Sequence, residues 1–458
     1  MKPFSPLVDE FESCELPDQR LLERLVSISA ALESDPEASF PAAMQDRSQL
    51  EGLYRFFGNE RLELADILRG HVEKTLERCS RHAVCLALHD TTDFSFKGER
   101  TGLGVVDRAQ QGFYGHFCLA VAPDEHREPL GLLAVDTWMR QGKKGKRRTS
   151  QRKREPELES ARWLRQSRAV EELAEGFSAL IHVEDREGDI FDSLSGRLSE
   201  GHRFVVRGNS NRVVLVGEGS ENVLEHARRL PRQLTREVKL SARKRSMGLK
   251  NARASRRERA ATLAMASSSV ALRRPKRTRG GPAAITLNIV HVIEEGAVPD
   301  GEERAEWLLY TTEPVSTRTQ LEFVVDAYRA RWLIEEYFKA IKTGCKYEQR
   351  QLESGEALLR ALGIFAVLAW RLLVLRFVER TASDAPVELV ATTAEIEVLR
   401  AKQLLSKNAT AQDFMKAVAK RGGHLSNNGR PGYLVLWRGL RSLESLVEGW
   451  LLASAASR

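Results

Sequence analysis

Two short apolar runs in this chain lead directly into carboxylates, and that pattern limits the fold more than any other. Val84–Leu88 is followed by His89-Asp90-Thr91-Thr92, and Ala179–Val183 by Glu184-Asp185-Arg186-Glu187-Gly188-Asp189. Runs of this length and composition read as buried strands. A strand that ends in a carboxylate delivers it rigidly to the sheet's edge, where α/β sheets bind ligands. A single such Asp is an ordinary turn former or helix cap. Two in the same context point to a shared site. Asp189 is placed to cap a helix starting at Ile190.

Further strand signals are Gly115–Ala122 and Leu130–Trp138, joined by a polar turn at Asp124–Arg127, then Arg203–Arg207, Val213–Val216, Ile285–Ile293 and Trp307–Tyr310. Helical patterns cover Gln19–Leu32, Met44–Phe57 up to Gly58, Glu157–Gly176, Ile190–Leu198, Gly363–Val378 and much of Val387–Arg458. The expected fold class is α/β, a mixed sheet flanked by helices with helical regions at both ends. The expected organisation is a helical region at 1–70, a core at 71–386 with a β-rich basic insertion at about 210–300, and a helical region at 387–458.

The chain has 458 residues, 42% hydrophobic and 29% charged, a globular composition. Its net charge of +8 and pI near 9.2 favour a polyanionic partner. Lys143–Arg154 and Arg228–Arg279 are the most basic stretches. Arg20, Arg24 and Arg55 are candidate phosphate contacts in the N-terminal helices. Five cysteines without CxxC spacing argue against a disulfide framework or a cysteine zinc site, and fit a reducing cytoplasm. The N-terminus has no apolar signal region. Leu358–Val378, the nearest thing to a membrane span, is interrupted by Arg360, Arg371 and Arg376, so no membrane association is expected.

The segment Tyr328–Lys342 reads as one helix. Spacings of three, four, four and three place Tyr328, Arg331, Glu335, Lys339 and Lys342 on one face, at about 100° per residue. One carboxylate thus stands among three cations, as a metal-binding group beside a polyanion would. Glu336 lies about 100° away from that face. Asp90, Asp185 and Glu335 together offer oxygen ligands suited to Mg²⁺ or Mn²⁺. Two such ions can serve phosphodiester displacement.

These residues resemble a known family. Tyr328, Arg331, Glu335 and Lys342 match the Tyr-x2-Arg-x3-Glu-x6-Lys pattern of the DDE cut-and-paste transposases of bacterial insertion sequences, the Tn-five transposase group. His89–Thr92 and Asp185–Ile190 resemble that family's first and second catalytic blocks. Gly52–Phe57, Arg203–Arg207, Trp307–Pro314 and Gly432–Trp450 resemble further blocks in the same order.

The resemblance implies an RNase H-like catalytic core interrupted by a β insertion. It implies Asp90, Asp185 and Glu335 as catalytic ligands of two Mg²⁺ or Mn²⁺ ions. It implies Tyr328, Arg331, Lys339, Lys342, Arg207 and Trp307 as DNA contacts, with a base beside the cut flipped onto Trp307. The implied activity is a nick, a hairpin, hairpin opening and insertion into target DNA. The implied partners are double-stranded DNA (terminal inverted repeats and target) and a second copy of the chain in a synaptic dimer, associated with the bacterial nucleoid. Leu434, Leu436, Trp437, Leu440, Leu443, Leu446 and Trp450 are read as its exposed apolar contact. The stretch Lys143–Arg154 departs from the family, where the corresponding segment is acidic. Alternative classes are a metal-dependent nuclease of the same fold without strand transfer, a catalytically inactive DNA-binding regulator of transposition, and a structural nucleoid binder.

Overall fold

The computed structural model describes residues 6–44, 46–106, 110–140, 159–240, 242, 255–276, 278, 280–382, 384–425, 427 and 429–456. The basic stretch at 143–154 lies outside the described residues, as does much of 241–254. The chain divides into two compact units. The first comprises Met1–Ala83, Thr91–Arg148 and Trp332–Arg458, and the second Val84–Asp90 and Thr149–Arg331.

The chain opens with α1 (Gln19–Ser34), α2 (Phe40–Ala43), α3 (Arg47–Phe57) and α4 (Leu64–Cys79). Strands β1 (Val84–Phe96), β2 (Gly104–Val105), β3 (Gln111–Val121) and β4 (Pro129–Trp138) follow. Then come α5 (Arg162–Ala174), β5 (Ala179–Glu184), α6 (Phe191–Glu200) and β6 (Arg203–Arg207). The insertion supplies β7 (Val213–Val216), β8 (Gly219–Asn222), α7 (Val223–Arg229), β9 (Leu234–Leu240), β10 (Arg259–Arg273) and β11 (Ala284–Glu294). The remainder is β12 (Glu306–Thr311), α8 (Arg318–Ala330), α9 (Trp332–Lys339), α10 (Gly355–Thr381), α11 (Thr393–Ala401), α12 (Ala411–Arg421) and α13 (Tyr433–Ala456). The expected α/β class is what is found: a mixed sheet, flanking helices and helical regions towards both ends.

In the first unit, the helices start where short polar side chains can cap them. Asp18 accepts from the Arg20 N–H at 2.9 Å, and Asp46 from the Gln49 N–H at 2.9 Å. Gly52 lets the Arg24 guanidinium lie against α3, since a Cβ there would collide with it. α10 is long and apolar enough to cross a membrane by length and composition, yet 94% of its most apolar window is buried, which makes it a core helix. Arg360 on α10 donates to the carbonyls of Leu62 and Phe57 at 2.7 and 2.9 Å. Trp370 Nε1 donates to Pro129 O at 2.9 Å. Arg360 therefore serves backbone acceptors at the end of α3 and in the link that follows it.

The same logic fastens the N-terminal turn Leu7–Glu10. His71 Nε2 accepts from the Leu132 N–H at 3.0 Å, so Nδ1 carries the proton that it donates to Glu10 at 2.6 Å. Arg78 adds a bond to Glu10 at 2.8 Å. Burial alone would raise the Glu10 carboxyl, but His71 and Arg78 outweigh it and hold the group well below the usual carboxylate range.

Most of the apolar stripe on α13 belongs to this core. Leu436, Trp437, Leu440 and Leu443 are buried within the chain, Leu434 and Leu446 are half-buried, and Trp437 Nε1 donates to Glu33 O at 3.0 Å. The sequence reading of these residues as an exposed contact is corrected to that extent. Only the distal end, Trp450-Leu451-Leu452, is open. Helical spacing reports a shared face and cannot report what covers it.

The second unit carries the strand order β1-β5-β6-β12-β11-β10-β7-β8, with β9 also on β10. β1, β5 and β6 are parallel, and the rest antiparallel. In the first unit, β3 neighbours β1 and pairs with β2 and β4. The insertion is thus not a separate β subdomain. β11 pairs with β12 from Asn288↔Thr311 to Ile293↔Glu306, so the inserted strands extend the core sheet. Phe191, Phe204, Leu272, Ile289 and Tyr310 form part of one buried cluster.

At the end of β5, Glu184 and Arg197 are both fully buried and paired. Burial pushes the Glu184 carboxyl up, and the Arg197 guanidinium pulls it back.

Two predictions follow from these buried charges. Glu10 adds stability that is complete above its unfolded value of 4.5 and is lost as pH falls below it. Urea unfolding followed against pH should therefore show an acid-side loss that Glu10→Gln flattens. Arg197→Ala leaves a buried carboxylate alone and should cost ~3–5 kcal/mol in the same assay, most of it recovered by pairing Arg197→Met with Glu184→Leu.

Candidate active site and nucleic-acid interface

β1 and β5 run parallel in the register Val84↔Ala179 to His89↔Glu184. Asp90 and Asp185 each follow the last matched pair, so they stand at the same level of neighbouring strands, about 4.8 Å apart along the backbone. Strand alternation turns His89 and Glu184 into the interior and leaves both aspartates half-buried on the opposite side. Asp90 does not terminate its strand, as the sequence had suggested. β1 continues to Phe96 because Thr91, Thr92, Phe94 and Phe96 suit a strand and β3 lies beside it.

Asp185 opens a 3-10 turn, Arg186–Gly188, and accepts from the Glu187 N–H at 2.7 Å. Gly188 is required here, since a Cβ would strike the Glu184 carboxylate. Asp189 does not cap the next helix. Its carboxylate accepts from the N–H groups of Asn209 and Ser210 at 2.8 and 2.9 Å and from Arg212 Nε at 2.7 Å, pinning the loop after β6. Loop donors separated by some twenty positions in sequence outcompete the local cap, which spacing cannot reveal.

The helix read across Tyr328–Lys342 is broken. α8 ends at Ala330, Arg331 follows with its N–H bonded to Tyr328 O at 3.2 Å, and α9 starts at Trp332. A π-helical turn, Ala340–Gly344, then replaces regular helix and contains Lys342. The even face inferred from spacings of three and four therefore does not hold along the whole segment.

In the second unit, Arg331 Nη1 donates to Asp90 Oδ2 at 2.9 Å. Arg207 Nη1 donates to the Tyr328 hydroxyl at 3.2 Å, and the Trp307 and Tyr328 rings lie 5.8 Å apart. Four of the six candidate DNA contacts thus fall in this unit, three of them in one cluster. Arg207 and Trp307 also line a cleft of about 280 Å³ with Arg186, Arg256 and Arg304. Sequence reasoning did not single out these last three. They are far apart in the chain, and only the strand order gathers them.

Glu335 lies in the first unit, half-buried on α9. There the Lys339 ammonium sits 5.1 Å from the exposed Trp332 ring. Lys342 Nζ is 3.5 Å from Asp93 Oδ1. In α1 and α3, Arg20, Arg24 and Arg55 are all exposed. Within the second unit, Asp90 and Asp185 offer the oxygen donors that suit hard divalent cations.

A second group of ligand-type side chains was not anticipated. Glu171, His182 and His202 have ligand atoms within 4.8 Å of one another. Burial drives the imidazoles of His182 and its neighbour His89 well below the ordinary histidine range.

Two parts of the chain match known families. Residues 7–62 match the family model for transposase DNA-binding, and residues 191–370 match that for the transposase DDE domain. The second match takes in Glu335 and all six candidate DNA contacts, whereas Asp90 and Asp185 precede it. Among solved structures, a piggyBac transposase synaptic complex with hairpin DNA is similar to this chain at 10% identity and a TM-score of 0.38, covering 95% of this chain and 73% of that one. Over these two segments the chain is similar to the transposase DNA-binding family and to the transposase DDE-domain family.

Proposed function

We propose that the protein is a DNA transposase of the bacterial insertion-sequence type that excises an element at its ends and joins it to target DNA. The placement of Asp90 and Asp185 side by side, one step past the β1–β5 register, carries this reading. The DDE-domain match over 191–370 and the DNA-binding match over 7–62 support it.

In this reading Asp90, Asp185 and Glu335 are the ligands that would hold two Mg²⁺ or Mn²⁺ ions. Such ions, when bound, activate an attacking oxygen and stabilise a leaving one. The protein's own part is to position DNA. Arg20, Arg24 and Arg55 on the N-terminal helices grip phosphates of the element end, with sequence-independent attraction from the net charge of +8. Arg331, Lys339 and Lys342 hold the backbone at the cut. Arg331 also orients Asp90 through its 2.9 Å bond.

The first nick leaves a 3′-OH, whose attack on the opposite strand closes a hairpin. That tight bend requires a base to leave the stack. Trp307 offers the ring on which the extruded base rests, and Arg207, fixed by Tyr328, lies beside it. Water opens the hairpin, and the 3′-OH then attacks target DNA. Two copies of the chain bring the two ends together, and the open end of α13 at Trp450-Leu451-Leu452 is available to such an assembly.

Two experiments test the reading. Asp90→Ala, Asp185→Ala and Glu335→Ala should each abolish Mg²⁺-dependent cleavage of DNA flanking the gene, with end binding retained in a gel-shift assay. Cleavage that survives in all three would defeat the ligand assignment, and cleavage without joining of a precut end would identify a nuclease instead. Trp307→Ala should slow hairpin formation by roughly 5- to 150-fold, the rate equivalent of ~1–3 kcal/mol of stacking, with little effect on the first nick. Equal loss in both steps would point to a folding role.

A further inference from the structure

We infer that Glu171, His182 and His202 form a second metal site in the second unit, one that takes a zinc-like divalent cation and is separate from the three acidic candidates. Glu171 comes from α5, His182 from β5, and His202 from the turn just before β6. Their ligand atoms lie within 4.8 Å of one another, within reach of a common ion after small side-chain adjustment. Two imidazoles and one carboxylate are a borderline-soft donor set, matched to Zn²⁺ rather than Mg²⁺.

The hydrogen bonds around His182 add an independent argument. His89 Nδ1 lies 2.9 Å from Gln166 Oε1 and its Nε2 2.8 Å from His182 Nδ1, with both rings fully buried. His182 thus engages the interior through Nδ1 and points Nε2 at Glu171 Oε1, 3.0 Å away. An imidazole nitrogen and a carboxylate oxygen facing each other in this way can share a cation in place of a proton. The chain Gln166–His89–His182 is the kind of outer hydrogen-bonding support that fixes the tautomer of a metal-binding histidine.

His202 completes the group. Its Nδ1 is buried without a hydrogen-bond partner, and the nearest carboxylate oxygen, Glu200 Oε2, is 3.8 Å away. Glu171, His202, Glu200 and Arg168 line an open cleft of about 700 Å³, so a fourth position is accessible to water. Three protein ligands and one solvent position form a common zinc arrangement. Occupied, the site would tie α5 to two strands of the sheet. Through His89 it would also stiffen the strand segment that carries Asp90. This inference stands on residues outside the proposed catalytic group and does not depend on the protein being a transposase.

The test uses the full-length protein stripped with EDTA and titrated with Co²⁺ in a large excess of Mg²⁺. The expected result is one tightly bound Co²⁺ with the intense visible absorption of a four-coordinate, nitrogen-containing site, displaced by Zn²⁺. An oxygen-only six-coordinate site absorbs weakly, so the proposed catalytic carboxylates cannot imitate this signal. Glu171→Gln and His202→Ala should each weaken binding roughly 10- to 100-fold or more and abolish the rise in thermal midpoint that Zn²⁺ gives the parent protein. Their midpoints in EDTA report on folding, and Glu171→Gln retains the side-chain size if His202→Ala proves unstable. Weak absorption, no saturable binding, or unchanged affinity in a folded variant would overturn the proposal. The gap between His182 and Glu171 would then be bridged by a proton alone.

Discussion

The parallel pairing of β1 with β5 is the contact on which the candidate chemistry depends. Six matched positions, from Val84↔Ala179 to His89↔Glu184, set the level at which both strands release their aspartates. A slip of one residue would carry Asp90 to the opposite face of the sheet and put His89 in its place. The interior side of this junction resists such a slip. Glu184 is locked to Arg197, His89 to Gln166 and His182, and Gly188 closes over the Glu184 carboxylate. Each is a buried polar group whose partner exists in one register only, so mispairing would strand it.

Much of this arrangement could be read in the sequence. The strand runs before Asp90 and Asp185, the helices at Gln19 and Arg47, and the inserted strands β7 and β11 occur where apolar runs and turn residues place them, whereas β9 and β10 lie within the stretch Arg228–Arg279 that the sequence marks only as basic. Helical spacing also draws attention to Tyr328 and Arg331, while Trp307 and Arg207 are named only through the family resemblance. What could not be read was set by distant partners. Asp189 caps nothing because loop N–H groups and Arg212 claim it. The Tyr328–Lys342 segment does not keep one face because α8 gives way to α9 and a π turn adds a residue to the helical count at Ala340–Gly344. The arginine-lined cleft and the Glu171–His182–His202 group arise from strand order, which periodicity does not encode.

Positive charge is put to three distinct uses. Arg360 and Arg350 are buried and occupied with backbone carbonyls, so they hold helices together rather than attract DNA. Arg197 and Arg212 neutralise internal carboxylates. Arg20, Arg24 and Arg55 are exposed, and Arg186, Arg207, Arg256 and Arg304 gather around the cleft beside Trp307. Net charge alone therefore overstates the surface available to a polyanion, and the location of each guanidinium matters more than the total.

The position of α10 in the chain has a consequence for how the protein is made. This core helix packs on α3, α4 and β4, all of which leave the ribosome more than two hundred residues before it. The second unit, by contrast, is almost entirely encoded by one continuous stretch, Thr149–Arg331. During synthesis that unit can close while the N-terminal helices still lack one of their apolar partners. Completion of the first unit thus waits for translation to pass Thr381.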